Sequence, residues 1–375
     1  MTQFARPAYA VQRWRIYERP VDPLLPGDRV DGATVGAYAF DGELEYPIED
    51  GDTVLWEEQK GLPSLPLGRV SLVETQRRVE AGGVEWVRTG RVAPVPLEDQ
   101  GRVVPVEKVG AKVARAFDTL LARETWPSAI GCEVRYFPPV MAAVRAAGYQ
   151  VWVVGGAVRD ILCGQIASKV HDVDLAGSSP PGAFCGQAHR TFERLGLGDL
   201  RLKISRASLV CWMVPPGKRK RRLEYKPLFD PHFPVPACGT SFAVDVATRD
   251  LSVNSLFYDD HHRVLLDPTG EGIGDLREHR LRTPNTSTEP VEQANVVFRS
   301  LKLLLKWDKF AVDASLLREW LASLPADVTP EPRESAVRYW KALEDFGEPD
   351  VDRSAADLGT LALRLVTEAR NGAQD

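Results

Sequence analysis

A chain of 375 residues that is 44% hydrophobic can bury more than one core and is too long for a single compact domain. No apolar run approaches about 18 residues and no charged-then-apolar leader opens the chain, which argues against a membrane-spanning or exported protein. The net charge of −5 is unevenly spread: residues 131–285 hold 20 basic and 16 acidic side chains while both flanks are acidic, so positive charge gathers where a polyanion would bind.

Residues 1–104 are rich in Gly, Pro and short β-like runs, among them AYAF, TVLWEE, GRVSLVET and the hairpin pattern RRVEAGGVEWVRTGRV. They read as a small, independent β domain without a recognisable catalytic motif. From Asp41 to Glu58 there is no basic residue. That stretch offers a contact for a protein partner or a mask for a basic surface, and an ordinary solvated face is the simpler reading. VEKVGAKVARAFDTLLARE then forms a helical connector, assigned to 105–130, that leads into a head over 131–285.

The head opens on YQVWVV, Tyr149 to Val154, a β-branched and aromatic run that predicts a buried strand. Gly155 and Gly156 end it, and Ala157 to Gly164 has one apolar face (Val158, Ile161, Leu162) with Arg159 and Asp160 charged, the pattern of a helix. Two glycines between strand and helix let backbone N–H groups approach a phosphate, with the positive end of the helix behind them. Taken alone, the pair is equally a tight turn.

In HDVDLAG, Asp172 and Asp174 alternate with Val173 and Leu175, a strand period that sends both carboxylates to one face. Two adjacent carboxylates repel unless cations sit between them, and Mg²⁺ suits one or two carboxylates plus substrate phosphates. Such a pair alone reads as a solvated edge strand; beside the glycine turn it reads as a two-metal site for in-line displacement. Ala207–Val214 and Arg222–Phe229 predict two strands joined by a basic loop. Glu224 on the second is a candidate third carboxylate, or an ordinary solvated glutamate. The loop contains Lys218, Arg219, Lys220, Arg221 and Arg222, five consecutive cations that fit a clamp on RNA or triphosphate, or a solvated tip.

The segment FPPVMAAVRAAGYQVWVVGGAVRD resembles the lead-in helix, turn and strand of the head domain of the class II tRNA nucleotidyltransferase and bacterial poly(A) polymerase family. DVATRDLSVNSLFYDD, Asp245 to Asp260, is similar to the family's RRDFTINA segment, with Arg249, Asp250, Asn254 and Ser255 in register. LLDPTGEGIGDLREHRLRTP, Leu265 to Pro284, resembles its DP-x-GG-x-x-DL block with one extra residue. Three motifs in order make the resemblance specific. It implies an α+β fold, with a polymerase-β-like nucleotidyltransferase head between the N-terminal β-rich domain and a C-terminal helical neck.

By that resemblance Asp172 and Asp174 hold two Mg²⁺ ions, and Gly155, Gly156 and Arg159 hold the triphosphate of ATP or CTP while Asp160 positions the loop. Arg249, Asp250 and Asn254 contact ribose and phosphates, for which an Arg fork and short polar side chains are chemically suited. As turn and cap residues, Asp250 and Asn254 also have an ordinary structural reading. The sequence departs from the family in three places. The loop between Asp160 and Asp172 is longer, and Thr248 replaces the first Arg of RRD. The family's base-selecting carboxylate and arginine map onto Val296 and Arg299, with Glu292 one turn further away.

After Pro284 the apolar spacing of NVVFRSLKLLLKWDKF, DASLLREWLASL, SAVRYWKALEDF and RSAADLGTLALRLVTEA predicts a helical neck or body over 286–375. Trp307, Trp320 and Trp340 lie at helical spacing among leucines, as core residues do, though aromatic rings also stack on bases. Cys132, Cys163, Cys185, Cys211 and Cys238 lack CxxC or CxxH spacing, which suits reduced thiols in cytoplasm. The leading expectation is an enzyme that adds a nucleoside monophosphate to a hydroxyl, by resemblance an RNA or tRNA 3′ end, and releases pyrophosphate. A modifying enzyme with a protein or small-molecule acceptor and a non-catalytic nucleotide-binding module are the alternatives.

Overall fold

The computed structural model describes residues 101–375 apart from 124, 129–131, 148, 171–172, 180, 198–200, 205–209, 215–222, 231–236, 239–240, 331–332 and 375. Before residue 101 it describes only the backbone of five strands, at Trp14–Arg15, Ala39–Phe40, Thr53–Trp56, Leu65–Arg78 and Val84–Ala93. The last three form one antiparallel sheet, and its hairpin closes with Arg78 opposite Val84, inside the sequence pattern expected for it.

The head is built on an eight-stranded sheet. In chain order its strands are β1 (Arg102–Pro105), β2 (Val151–Val154), β3 (Asp174–Gly177), β4 (Arg201–Ile204), β5 (Cys211–Val214), β6 (Leu223–Pro227), β7 (Phe257–Asp259) and β8 (Val264–Asp267). Their order across the sheet is β4-β5-β6-β3-β2-β7-β8-β1. Every neighbouring pair is antiparallel except β3 and β6, which run parallel. A parallel pair needs a long crossover, and the chain supplies it with a helix and the β4-β5 hairpin.

Strand alternation divides the apolar residues between two faces. Val151, Val153, Leu175, Tyr225, Tyr258 and Leu265 enter the larger core, which helices α1 (Ala111–Arg123), α2 (Phe137–Ala146), α3 (Gly156–Leu162) and α4 (Pro181–Arg194) cover. Trp152, Val154, Ala176, Phe257 and Leu266 point the other way, into a small cluster capped by Phe242 of α5 (Phe242–Val246). That cluster covers only part of the second face. Asp174 and Glu224 lie on the same face by alternation, beyond the edge of the cap.

The head sheet begins earlier than the expected boundaries, because β1 pairs with β8, Val104 opposite Leu265, and completes the sheet edge. Position 104 therefore falls inside a strand. The connector helix α1 also packs into the head: Phe117 stacks on Tyr258 with ring centroids 4.0 Å apart, and Arg123 donates to the Ala167 and Val170 carbonyls.

After α6 (Gly272–Arg277), five α-helices follow among the described residues: α7 (Pro290–Lys306), α8 (Ser315–Ser323), α9 (Arg333–Lys341), α10 (Glu348–Leu358) and α11 (Thr360–Gln374). Trp307 and Trp340 are buried and Trp320 is partly buried against the same core, so these rings are packing residues. No helix among the described residues is long and apolar enough to cross a membrane.

Candidate active site

The strand β2 ends in a turn whose shape requires glycine. Gly155 has φ of 73°, in the left-handed region, and its N–H donates to the Leu256 carbonyl at 3.2 Å. Its amide is thus committed to holding the turn. The first-turn amides of α3, from Gly156 onward, have no acceptor within the helix. Arg159 folds back over this turn, and a Cβ on Gly156 would stand 3.5 Å from its Nη2.

Arg159 is 7% exposed and held from two sides. Nε and Nη2 donate to Asp160 Oδ1 at 2.8 and 2.6 Å, and Nη1 donates to Asn254 Oδ1 at 2.6 Å. Asn254 in turn donates through Nδ2 to Asp250 Oδ1 at 3.1 Å, which also caps the Leu251 amide at 2.7 Å. The other Asp250 oxygen faces Arg299 Nε at 3.8 Å. A continuous polar chain therefore runs Asp160, Arg159, Asn254, Asp250, Arg299 from the glycine turn to α7.

Asp174 opens β3 and stands in register with Glu224 on the adjacent parallel strand β6. In-register residues of neighbouring strands share a face, so the two carboxylates are neighbours. Asp172 lies outside the described residues, and so do Lys218, Arg219, Lys220, Arg221 and Arg222, which belong to the connection between β5 and β6. Two adjoining carboxylates that line one cleft with the glycine turn are the donor set that Mg²⁺ takes together with phosphate oxygens. The described residues contain no group of three or more His, Cys, Asp or Glu side chains arranged around a metal position.

Lys226 follows Glu224 by two residues on the same face and lines the cleft, a position that sequence reading passed over. Burial pushes its ammonium below the ordinary lysine range, and the neighbouring Asp245 carboxylate opposes that shift. Arg249 is anchored by the same aspartate: Nε donates to Asp245 Oδ2 at 2.7 Å, and its guanidinium lies 4.6 Å from the Phe257 ring centroid. Thr248 bonds the Asp245 carbonyl at 2.8 Å through its hydroxyl.

One stripe of α7 closes the cleft with Asn295, Arg299, Lys302 and Lys306, at helical spacing. Val296, where the family resemblance places a carboxylate, is 1% exposed and does not line the cleft. Together these residues, with Gly155, Gly156, Arg159, Asp160, Asp174, Glu224, Arg249, Asp250 and Asn254, line a cleft of about 400 Å³. Every described candidate from the sequence faces this one cavity. Two other cavities, each of about 540 Å³, lie among the C-terminal helices and contain none of them.

The third motif supports the cleft from behind. Buried Asp267 accepts the Gly272 and Ile273 amides at 3.2 and 3.0 Å and so starts α6, while buried Asp275 accepts the Ser252 hydroxyl at 2.7 Å. Ser252 begins the turn that carries Asn254.

Residues 216–282 match the poly A polymerase head domain. A CCA-adding enzyme of Streptococcus pyogenes is 27% identical over 155 residues, covering 41% of this chain and 36% of that protein. One of Streptococcus sanguinis is 27% identical over 169 residues, covering 44% and 38%. The match thus spans little more than a third of the length of these curated relatives. The solved structure of the Bacillus stearothermophilus CCA-adding enzyme in complex with CTP is 20% identical, with a TM-score of 0.42 over 62% of this chain and 55% of that one. A CCA-adding enzyme in complex with ATP is 15% identical, with a TM-score of 0.40 over 68% and 56%. By its motifs and by the head-domain match, the head of this chain is similar to the class II tRNA nucleotidyltransferase and poly(A) polymerase family, from which it diverges.

Proposed function

We propose that this protein is a metal-dependent nucleotidyltransferase that transfers a nucleoside monophosphate from ATP or CTP to an RNA 3′ hydroxyl, of the tRNA type, and releases pyrophosphate. The observation that carries this reading is the in-register pair Asp174 and Glu224, opening on the same cleft as the Gly155–Gly156 turn and Arg159.

Asp174 and Glu224, with Asp172 from the adjoining sequence, would hold Mg²⁺. When bound, the metal activates the attacking hydroxyl and neutralises charge on the leaving oxygen. The chain's own groups do the positioning. The first-turn amides of α3 and the two N–H bonds that Arg159 has left over meet the phosphates, with Asp160 and Asn254 fixing the guanidinium in place. Lys226 and Arg249 add positive charge on the floor of the cleft. Asp250 and Asn254 sit where ribose hydroxyls would be met. The five cations Lys218–Arg222 would grip the acceptor backbone, since phosphate neutralisation dominates nucleic-acid affinity.

Among the described residues Cys132, Cys163 and Cys185 are free, which supports a reducing, cytoplasmic setting. Residues 1–104 would then serve a protein partner rather than the chemistry. The test is to incubate the protein with each labelled nucleoside triphosphate, Mg²⁺, total RNA and cell protein. Label in RNA with release of pyrophosphate is expected. Label confined to protein or a small molecule would redirect the acceptor, and binding without pyrophosphate release would make the head a regulatory module.

A further inference from the structure

We propose that Arg123, the last residue of α1, is a positioning residue for the metal-binding carboxylates: it clamps the segment between α3 and β3 to the connector helix and so fixes where β3 presents Asp174 to the cleft. This rests on the nucleotidyltransferase reading of the cleft.

The segment depends on support from outside itself. α3 ends at Leu162 and β3 begins at Asp174. Between them the described residues form one 3₁₀ turn, Ala167–Lys169, in which the Lys169 amide donates to the Ile166 carbonyl at 2.9 Å and the Val170 amide to the Ala167 carbonyl at 3.2 Å. A single turn fixes several backbone dihedrals for very few hydrogen bonds, so it is not stable alone. Ile166 is exposed, whereas Ala167 and Val170 are buried and anchor the turn by packing. Arg123 bonds those same two residues: Nη1 donates to the Ala167 carbonyl and Nη2 to the Val170 carbonyl. One planar guanidinium thus spans both ends of the turn. Val170 lines the cleft, and Asp174 follows it by four residues.

Arg123 can act as a clamp because α1 is itself fixed to the sheet. Phe117, Leu120 and Leu121 are buried in the head core, Phe117 stacks on Tyr258 of β7, and Arg263 after β7 donates to Asp118 Oδ1 at 2.9 Å. The clamp also joins two features particular to this chain. The segment between Asp160 and Asp172 is longer than in the family it resembles, and α1 precedes the segment that resembles the family's lead-in. The added length is therefore tied down by the connector from the N-terminal region.

Carboxylates hold a divalent ion tightly when their placement is set in advance, and loss of an outer support weakens metal affinity without removing a ligand. The phosphate contacts at the glycine turn are held separately, by Asp160 and Asn254 around Arg159. Loss of the clamp should consequently appear in metal demand and leave nucleotide affinity in place.

The test compares wild type, Arg123→Ala, Arg123→Lys and Val351→Ala, the last of which removes buried volume from α10, a helix that does not line the cleft. Mn²⁺ binding in the presence of a non-hydrolysable ATP analogue is read by electron paramagnetic resonance, pyrophosphate release is followed against Mg²⁺ concentration, and melts give Tm. Arg123→Ala should weaken Mn²⁺ binding and raise the Mg²⁺ needed for half-maximal rate, each by about tenfold, with metal-free affinity for the analogue unmoved. Arg123→Lys, which offers a point charge in place of a fork, should fall between wild type and Arg123→Ala. Val351→Ala should lower Tm and leave both metal readouts unmoved. Unchanged Mn²⁺ binding in Arg123→Ala, or an equal change in Val351→Ala, would overturn the clamp. Weakened Mn²⁺ binding in Arg123→Ala when even wild type releases no pyrophosphate keeps the clamp and removes the transfer reading. Pyrophosphate release with unmoved metal affinity does the reverse.

Discussion

Asn254 accepts a hydrogen bond from Arg159 at 2.6 Å across 95 residues of sequence, and so ties the glycine-turn motif to the segment that carries Asp250. Arg159 is almost fully buried, so neither partner is free to act without the other. Arg159→Ala and Asn254→Ala should each lower kcat/KM for nucleotidyl transfer, and the double variant should lose less than the two losses combined. The coupling expected from a buried, charge-assisted bond is about 1–3 kcal/mol. Strictly additive losses would show that the two side chains serve the nucleotide independently.

The register of Asp174 with Glu224 makes a second prediction, because in the proposed function the two neighbouring carboxylates would share the metal. Asp174→Asn should reduce transfer by at least about a hundredfold, as removal of one preorganised electrostatic contact does. Glu224→Gln should retain more activity and require more Mg²⁺ to reach half-maximal rate. Both variants should fold, since the strands carrying them are held by their apolar alternates Leu175, Leu223 and Tyr225. A Glu224→Gln enzyme with unchanged rate and unchanged Mg²⁺ demand would leave Glu224 as an ordinary strand residue.

Much of this cleft was legible in the sequence because its motifs are local. The strand before Gly155, the turn itself and the spacing of Arg249, Asp250 and Asn254 depend on residues within a few positions of one another. Glu224 was legible as a candidate because two strands around one loop imply a hairpin, and Trp212 does pair with Glu224. Whether it met Asp174 was not legible, since β3 and β6 come together only through a long crossover. Lys226 escaped for the same reason, since it reaches the cleft only once β6 lies beside β3, and Asn295 escaped because which stripe of α7 meets the cleft is set by packing, with the expected selector position, Val296, buried. The strand β1, which crosses position 104, has only four residues and declares itself only by pairing with β8. The block from Asp267 to Leu276 was recognised as a family motif, and its work is structural: it holds the turn behind Asn254.

That support is tight enough to test with one methyl group. A Cβ on Gly272 would stand 2.7 Å from the Ser252 carbonyl oxygen and 2.9 Å from Leu256 Cδ2. The first neighbour is backbone, so it cannot rotate out of the way. Gly272→Ala should displace the Ser252–Asn254 turn, lower Tm and reduce transfer, although residue 272 does not line the cleft. Overpacking of this kind costs about 1–3 kcal/mol. Gly274→Ala is the control, because nothing lies within 4 Å of a Cβ at that position. Equal behaviour of the two variants would show that the close approach of Gly272 does not position the turn.

Asp275 gives the molecule a pH signature. It is fully buried, and burial raises its carboxyl above the ordinary value of 3.8, while the Ser252 hydroxyl, Arg282 and Arg280 pull the other way. Because the folded state holds this proton more tightly than the unfolded chain, protonation favours folding. The contribution is full below the unfolded value and is lost as pH rises through the raised folded value. Asp275→Asn, which cannot titrate, should therefore resemble wild type most at acid pH, where both side chains are neutral, and the Tm of wild type minus that of the variant should fall as pH rises above about 4. Thermal melts of both proteins from pH 4 to pH 8 provide the measurement. A difference that grows with pH would mean that Arg280 and Arg282 outweigh burial, leaving Asp275 a stabilising ion pair behind the Ser252 turn.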